Sequence, residues 1–465
     1  MLPDVALLEI FDFYGDGEHT EAWRALVHVC QKWRNVVFGS PHRLDLRLFC
    51  TARSPVREML DVWPQFPIFI SVNGQGRHEP WGAASADNLI AALEQNDRIC
   101  RLDLNYMPHK QLGKLLPAME QPFPALTRLK LQLRSRTSCC VPDLLLGGSA
   151  PPHLQTLILD QIRFPGLPKL LLSATHLVHL RLWRMSHREF ISPGEMATFL
   201  SVLTRLERLE IGLDCCFGRE SQSPPQRTRT LLHVLKELRF SNAHRYLEDL
   251  TARIDAPLLH KFILTSHQSI SDSPRLNSFI CRTPKFQEYD AACMVFFKWS
   301  VWVTFSQMVD GRFEPGLSCG VSNLGDSSQA WGCVSSIPRC LIPAVEHLYI
   351  QSRSKRRWDV AWKGDDASIQ WQKLLRPFIA ARYLYISRPF VSHIASAMQK
   401  SVGESETEVL PALQTIYFEE PLPSGPNQKA IEQFTSARLL AGHPIAVSLW
   451  ENVDKPDWPY GIKND

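Results

Sequence analysis

The residues most able to do chemistry are few and scattered. His176-Leu-Val-His179 has a spacing that could interest a metal, but on a strand residues three apart point to opposite faces. Asn73-Gly74-Gln75-Gly76 lacks the third glycine and the helix start of a dinucleotide loop. Asp365-Asp366 is a lone acidic pair, expected in a turn. The vicinal pairs Cys139-Cys140 and Cys215-Cys216 lie outside any C-x-x-C, and no Cys/His set has zinc spacing. No H-E-x-x-H, P-loop or G-x-S-x-G occurs. The expectation is a chain that is not an enzyme, with no metal site and no cofactor. The histidines read as structural or surface groups, and the 12 cysteines as free, mostly buried thiols.

The bulk numbers are those of a globular chain. The 465 residues are 45% hydrophobic and 21% charged, the balance of a globular chain of several domains or one repeat array. Thirty-three prolines suggest many short elements with punctuated turns. A net charge of +4, from 51 basic and 47 acidic residues, gives no support for a nucleic-acid or membrane-surface partner. No apolar run reaches the length of a membrane span, and Met1-Leu2-Pro3-Asp4 lacks the basic start of a secretory signal. The expected compartment is cytoplasmic or nuclear.

What positions the side chains is a period. Leu154-Gln-Thr-Leu157-Ile158-Leu159 is an L-x-x-L-x-L strand, and equivalent segments begin at Ile99, Leu126, Leu177, Leu206, Leu235 and Leu259. The spacings, 23 to 29 residues, fall in the leucine-rich-repeat range. The pattern fades after residue 264 and returns at Val345, Ala381 and Leu413, while Leu44–Leu48 and Ile68–Val72 look like irregular opening strands. Helices are expected over Ser85–Gln95, Gly194–Leu203 and Asn427–Ala441, and a closing strand over His443–Trp450. The buried Asn usual in such repeats is replaced by Arg134, Ile162, Met185 and Ala243, so the arc should be irregular.

Strand alternation then sets a face opposite the core leucines. On its first half fall Arg128, Lys130, His179, Arg181, Arg208, Arg239 and Lys261, with Asp160, Glu210 and Glu237 diluting the charge. Trp183 lies nearer the middle, and Tyr349, Tyr383, Tyr385 and Tyr417 on the second half. Two readings stay open: a face for an acidic peptide or phosphopeptide held by Arg and aromatic anchors, and a plain solvated repeat face. Likewise Arg353-Ser-Lys355-Arg356-Arg357 reads as a nuclear-localisation signal or a solvated loop.

The N-terminus is a different object. Residues 4–14 carry only three charges, Asp4, Glu9 and Asp12, and a helix so apolar must bury nearly its whole circumference. Gly15-Asp16-Gly17 breaks it, Thr20 caps a second helix from Glu21 to Cys30, and a third turn, Lys32–Phe38, stops before Ser40-Pro41. Leu2-Pro3, Leu8-Glu9-Ile10-Phe11 and Leu26-x-x-Val29-Cys30-x-x-Trp33 resemble an F-box. The resemblance implies docking on a Skp-type adaptor of a cullin ligase core through Leu2, Pro3, Leu8, Ile10, Phe11, Leu26, Val29 and Trp33, some facing the adaptor and others the internal core. F-box followed by irregular leucine-rich repeats is similar to the large F-box-like families of mushroom-forming fungi, as are the phrases Ile342–Ile350, Leu410–Ile416 and Glu419–Pro426.

The fold expected is α/β: a short three-helix F-box (1–42), irregular first repeats (43–97), leucine-rich repeats (98–265), degenerate repeats (266–340), C-terminal repeats with a closing cap (341–450) and a tail (451–465). The solenoid would carry a curved parallel sheet with helices on its convex side. The function implied is a substrate-recognition adaptor of a Skp–cullin–F-box type ubiquitin ligase, binding an unknown protein target, with no nucleic acid and no membrane. A non-catalytic interaction scaffold outside any ligase is the alternative.

Overall fold

A computed structural model describes residues 2–15, 22–41, 43–73, 83–134, 139–185, 191–213, 229–242, 244–266, 273–297, 300–309, 312–322, 340–353, 365–401, 409–421 and 425–450. Thr20, Gly76, Cys215-Cys216, most of the basic run after Arg353 and the tail lie outside them. The protein is mixed α/β with sixteen main strands, mostly parallel. The chain divides into two units, Met1–Ile191 with Thr198–Leu206, and Ser192–Ala197 with Glu207–Asp465.

The first unit opens with helices α1 (Asp4–Gly15), α2 (Ala22–Val27) and α3 (Gln31–Gly39). Strands β1 (Leu48–Cys50), β2 (Ile68–Asn73), β3 (Ile99–Met107), β4 (Arg128–Leu133), β6 (Thr156–Asp160) and β8 (His179–Met185) then pair in parallel, each with the next. Short strands β5 (Cys139–Cys140) and β7 (Ile162–Arg163) form a side pair. Leu102, Leu129, Leu157 and Leu180 share one register row, and Leu104, Leu131, Leu159 and Leu182 the next. All eight are buried. The L-x-L spacing works because alternation sends both leucines to the same face, and parallel pairing stacks like on like.

At the strand ends or just past them the chain turns through left-handed residues at equivalent places: Tyr106, Gln161, Arg184 and Asn242. A bulky residue there costs about 1 kcal/mol or more. Main-chain bonding past the strand end helps hold it: the Gln161 amide donates to the Trp183 carbonyl and that of Asn242 to Thr265, each at 2.9 Å. The next residues, Ile162 and Met185, are buried apolar groups. Arginines supply some polar ties between segments: Arg98 donates to the Phe66 carbonyl, Arg282 to Ile254 and Arg438 to Pro411.

In the second unit, β9 (Arg208–Leu213), β11 (Glu237–Ser241) and β13 (Lys261–Ser266) continue the parallel pattern, with a side pair of β10 (Thr230–Leu231) and β12 (Ile254–Asp255). Where the period fades, the chain builds an antiparallel insert: β14 (Ala291–Phe297), β15 (Ser300–Val309) and β16 (Arg312–Ser322). It lies in the order β13-β16-β15-β14-β17, so β14 skips two places and its hairpin partners fill them. An all-parallel sheet is therefore not what residues 266–340 make. The period fades there because both faces are buried. Ala291 through Phe296 are each 2% exposed or less, and a strand covered on both sides reads as a continuous apolar run without alternation. Gly320 permits it, since a Cβ there would overlap the Trp302 ring.

Strands β17 (His347–Ser352), β18 (Tyr383–Ile386), β19 (Thr415–Phe418) and β20 (Ala446–Leu449) restore parallel pairing. Helix Asp365–Leu375 begins on the acidic pair expected in a turn.

One thiol expectation fails outright. Cys281 and Cys340, 59 residues apart, form a disulfide with Cα atoms 5.9 Å apart. The bond joins the end of helix Pro274–Arg282 to the turn before β17, spanning the insert. Of the free cysteines, Cys50, Cys139 and Cys293 are buried, while Cys30 and Cys140 are exposed. Cys281→Ser is expected to destabilise the oxidised protein by about 3–5 kcal/mol, the loop-closure value for a ring of this size. Urea unfolding with and without reductant measures it; a variant as stable as its oxidised parent would show that the bond is not made.

Candidate functional site

Two surfaces of the first unit and one of the second hold the residues expected to bind. The first is α1. Leu7 and Phe11, four residues apart, point into the helical cluster, where Phe11 meets Trp33 edge-on at 4.9 Å. On the other side Val5, Ile10 and Phe13 are exposed, Phe13 to 88%. At 100° per residue these three span an arc of about 140°. Leu2, itself exposed, lies just before the helix. α1 therefore has two apolar faces, and only one is covered by the described residues.

The residues expected to dock sort themselves accordingly. Leu2, Pro3, Ile10 and Val29 are exposed; Leu8 and Trp33 are half-buried; Phe11 and Leu26 belong to the core. Val5 and Phe13 were missed, although helical spacing puts them on one face with Ile10. The helices are anchored by an aromatic box. Trp23 packs edge-on against Trp63 at 5.2 Å and Phe66 at 5.5 Å, with the Arg24 guanidinium 5.8 Å from both tryptophan ring centroids.

The second surface is the sheet face opposite the leucine rows. Its middle register row runs Asp103, Lys130, Ile158, Arg181. Asp103 is buried, held by Arg101 at 2.6 Å and Arg128 at 2.9 Å. Asp160, also buried, takes a two-pronged contact from Arg184 at 2.6 and 2.8 Å. Arg181 lies over the Trp183 ring, 4.9 Å from its centroid. Burial lowers the Lys130 pKa against the opposing pull of Asp103; Arg128 and Arg181 lower it further and Asp160 raises it. Asp103, Arg101 and Arg184 escaped the sequence reading, the last because a left-handed backbone at the end of β8 breaks the alternation there.

The second unit's face differs. Arg208, Glu237 and Lys261 share a row, Glu237 accepting from Arg208 at 2.8 Å and Lys261 at 3.4 Å, and Arg239 aligns with Glu210. Three cations meet two carboxylates there. Further along, Cys293, Tyr349, Tyr385 and Tyr417 align. The tyrosine rings stack at 4.1 and 4.6 Å, nearly parallel. Trp450 leans on this ladder, 5.8 Å from Tyr349 and 5.5 Å from Tyr385. Tyr349 is left 1% exposed and Tyr385 8%. Both are covered by the chain itself, so neither offers a free anchor; Tyr417 and Tyr383 are half-buried.

His176 is exposed and His179 begins β8. Among the described residues no cluster of three His, Cys, Asp or Glu side chains could hold a metal. Nor is any described helix long and apolar enough to cross a membrane. Scanned against family models and curated proteins, the chain matches none.

The ladder carries one titratable reporter. His347 stacks on Tyr383 at 4.6 Å. Burial lowers its pKa, with Asp290 and Glu346 opposing. Because the folded state holds the proton less well than the unfolded chain, the unfolded state binds more protons on acidification. Stability should thus be full above the ordinary His pKa and fall as pH drops below it toward the folded value. His347→Gln should flatten that segment of a melting-temperature profile between roughly pH 7 and pH 5; an unchanged slope would show that His347 is not its source.

Proposed function

We propose that this chain is a substrate-recognition adaptor of a Skp–cullin–F-box type ubiquitin ligase, acting in the cytoplasm or nucleus. The observation that carries the reading is the second apolar face of α1. A helix with Phe13 and Val5 in water has surface to spare, and contiguous exposed apolar residues on a packed scaffold mark an interaction site. In an F-box, that surface docks on a Skp-type adaptor. The strand–helix units that follow, with leucine rows in register, suit stretches of a leucine-rich-repeat solenoid that presents a protein target.

The mechanism is positional. Docking through α1 and target capture on a sheet face raise the local concentration of target at the ligase core. Ubiquitin transfer is done by other subunits, and this chain supplies no reacting group. The aromatic box around Trp23 and Trp63 would make docking helices and first strands move as one body. The alternative, a scaffold acting outside a ligase, rests on the same leucine rows, which form independently of α1.

The paired variant Ile10→Asp with Phe13→Asp should abolish capture of a Skp-type adaptor and cullin in a pulldown. Each side chain is worth about 1.5–3 kcal/mol on burial, so the loss should exceed roughly a hundredfold. Thermal stability should hardly change, since both groups are exposed; Phe11→Asp should instead unfold the helices. An adaptor retained by the exposed pair of substitutions, or never captured by the parent, would defeat the ligase reading and leave the scaffold.

A further inference from the structure

Among the described residues one disulfide joins distant segments, Cys281–Cys340. Its place in the sheet is specific. β14 and β17 are parallel neighbours, with Ala291 opposite His347. Cys281 lies on the connection that leads into β14, and Cys340 on the one that leads into β17. The bond therefore ties two incoming connections together at one end of one strand pair.

The two sides of the tie are not equal. Cys281 is exposed, at the end of helix Pro274–Arg282. That helix is held without the bond. Phe279 and Ile280 are buried, Phe279 meets Phe262 edge-on at 6.3 Å, and Arg282 donates to the Asp255 carboxylate and the Ile254 carbonyl. Cys340 is half-buried and precedes a short turn, Ile342–Ala344, where Leu341 and Ile342 are buried. The turn's own main-chain bonds are long and local, Ala344 to Leu341 at 3.3 Å and Val345 to Ile342 at 3.2 Å. Ties to another strand begin at Glu346 and His347, whose amides donate to the Asp290 carbonyl at 2.7 and 3.0 Å. Breaking the disulfide thus leaves the helix and the strand pair held, and frees residues 340–345.

We infer that Cys281–Cys340 is a thiol–disulfide exchange site, attacked at Cys281 by a small thiol of the glutathione class, and that it latches the turn 340–345. The inference rests on the cytoplasmic or nuclear location proposed above, where a disulfide is rarely permanent and an accessible one is labile. A thiol loses its proton to water, and its thiolate attacks the Cys281 sulfur. A new S–S bond forms there, the old one breaks, and Cys340 leaves as a thiolate that takes up a proton. A second thiolate then attacks the small thiol's sulfur in this mixed disulfide and releases Cys281, which is protonated in turn. Two small thiols are oxidised to their disulfide, and the protein's bond is reduced to two thiols. Attack falls on Cys281 because it is the exposed partner. Once reduced, the turn can open and bring Leu341 and Ile342 to water.

The test uses the full oxidised chain without denaturant, with reduced and oxidised glutathione as the thiol couple. Millimolar reduced glutathione should open the bond in the folded protein, read by alkylation and peptide mass at Cys281 and Cys340. The first mixed disulfide, trapped by acid, should sit on Cys281. In Cys340→Ser, oxidised glutathione should add to Cys281 at least about tenfold faster than it adds to Cys340 in Cys281→Ser, since access controls the rate. Hydrogen exchange of residues 341–345 should speed up at least about tenfold on reduction, ahead of the β17 amides that follow. A bond that opens only after urea has unfolded the chain would overturn the inference. So would a first adduct on Cys340, or a turn that exchanges equally in both redox states or opens only together with β17. If a serine variant misfolds, the trapped adduct on the parent decides the point of attack. Adaptor capture is read on the same preparations. A parent that exchanges at Cys281 without capturing a Skp-type adaptor supports the site while defeating the ligase reading. One that captures the adaptor while its bond resists glutathione overturns the site alone.

Discussion

Leucine stacked on leucine along a parallel register is the constraint on which the first unit depends. Leu102, Leu129, Leu157 and Leu180 lie in one row and share one buried layer. A slip of one residue in any strand would turn its leucines to solvent and bring Arg or Asp into the core. The penalty for that exchange fixes the register, and the register in turn fixes every side chain on the opposite face. The cation-rich row of Lys130 and Arg181 is a by-product of where the leucines must go.

Burial of carboxylates is the second organising effect. Asp103 and Asp160 are nearly fully withdrawn from water, a costly placement unless each is paired and hydrogen-bonded. Each is met by arginine that is itself 31% to 43% exposed, so the pairs work as half-wet clamps. In the second unit the same kinds of residues come closer to cancelling, Glu237 lying between Arg208 and Lys261 and Glu210 beside Arg239. Similar composition thus gives one face with a larger cationic surplus than the other.

The second unit also shows what happens when the period stops. The antiparallel insert is buried on both faces, by Phe390 and Trp371 against Phe296 on one side and by the cluster of Tyr349, Tyr385 and Trp450 around Cys293 on the other. A tyrosine ladder that alternation places on an open face is thereby enclosed. The disulfide across the insert pins its two ends.

By itself the sequence determined the positions of the strands that carry the leucine repeat, because L-x-x-L-x-L admits one face for its leucines, and it determined that α1 is too apolar to be covered by its own short neighbours. It also carried the cationic character of Arg128, Lys130 and Arg181, since alternation alone puts them opposite the core. Only the tertiary structure decided which docking residues are core and which are free: Phe11 and Ile10 are adjacent in the chain, yet one faces Trp33 and the other faces water. It alone joined Cys281 to Cys340 across 59 residues, and enclosed Tyr349 under Trp450 across a longer stretch of chain. The division has one physical cause. Local periodicity governs which way a side chain points, but what stands opposite it is set by segments far away in the chain, and no spacing within one segment records them.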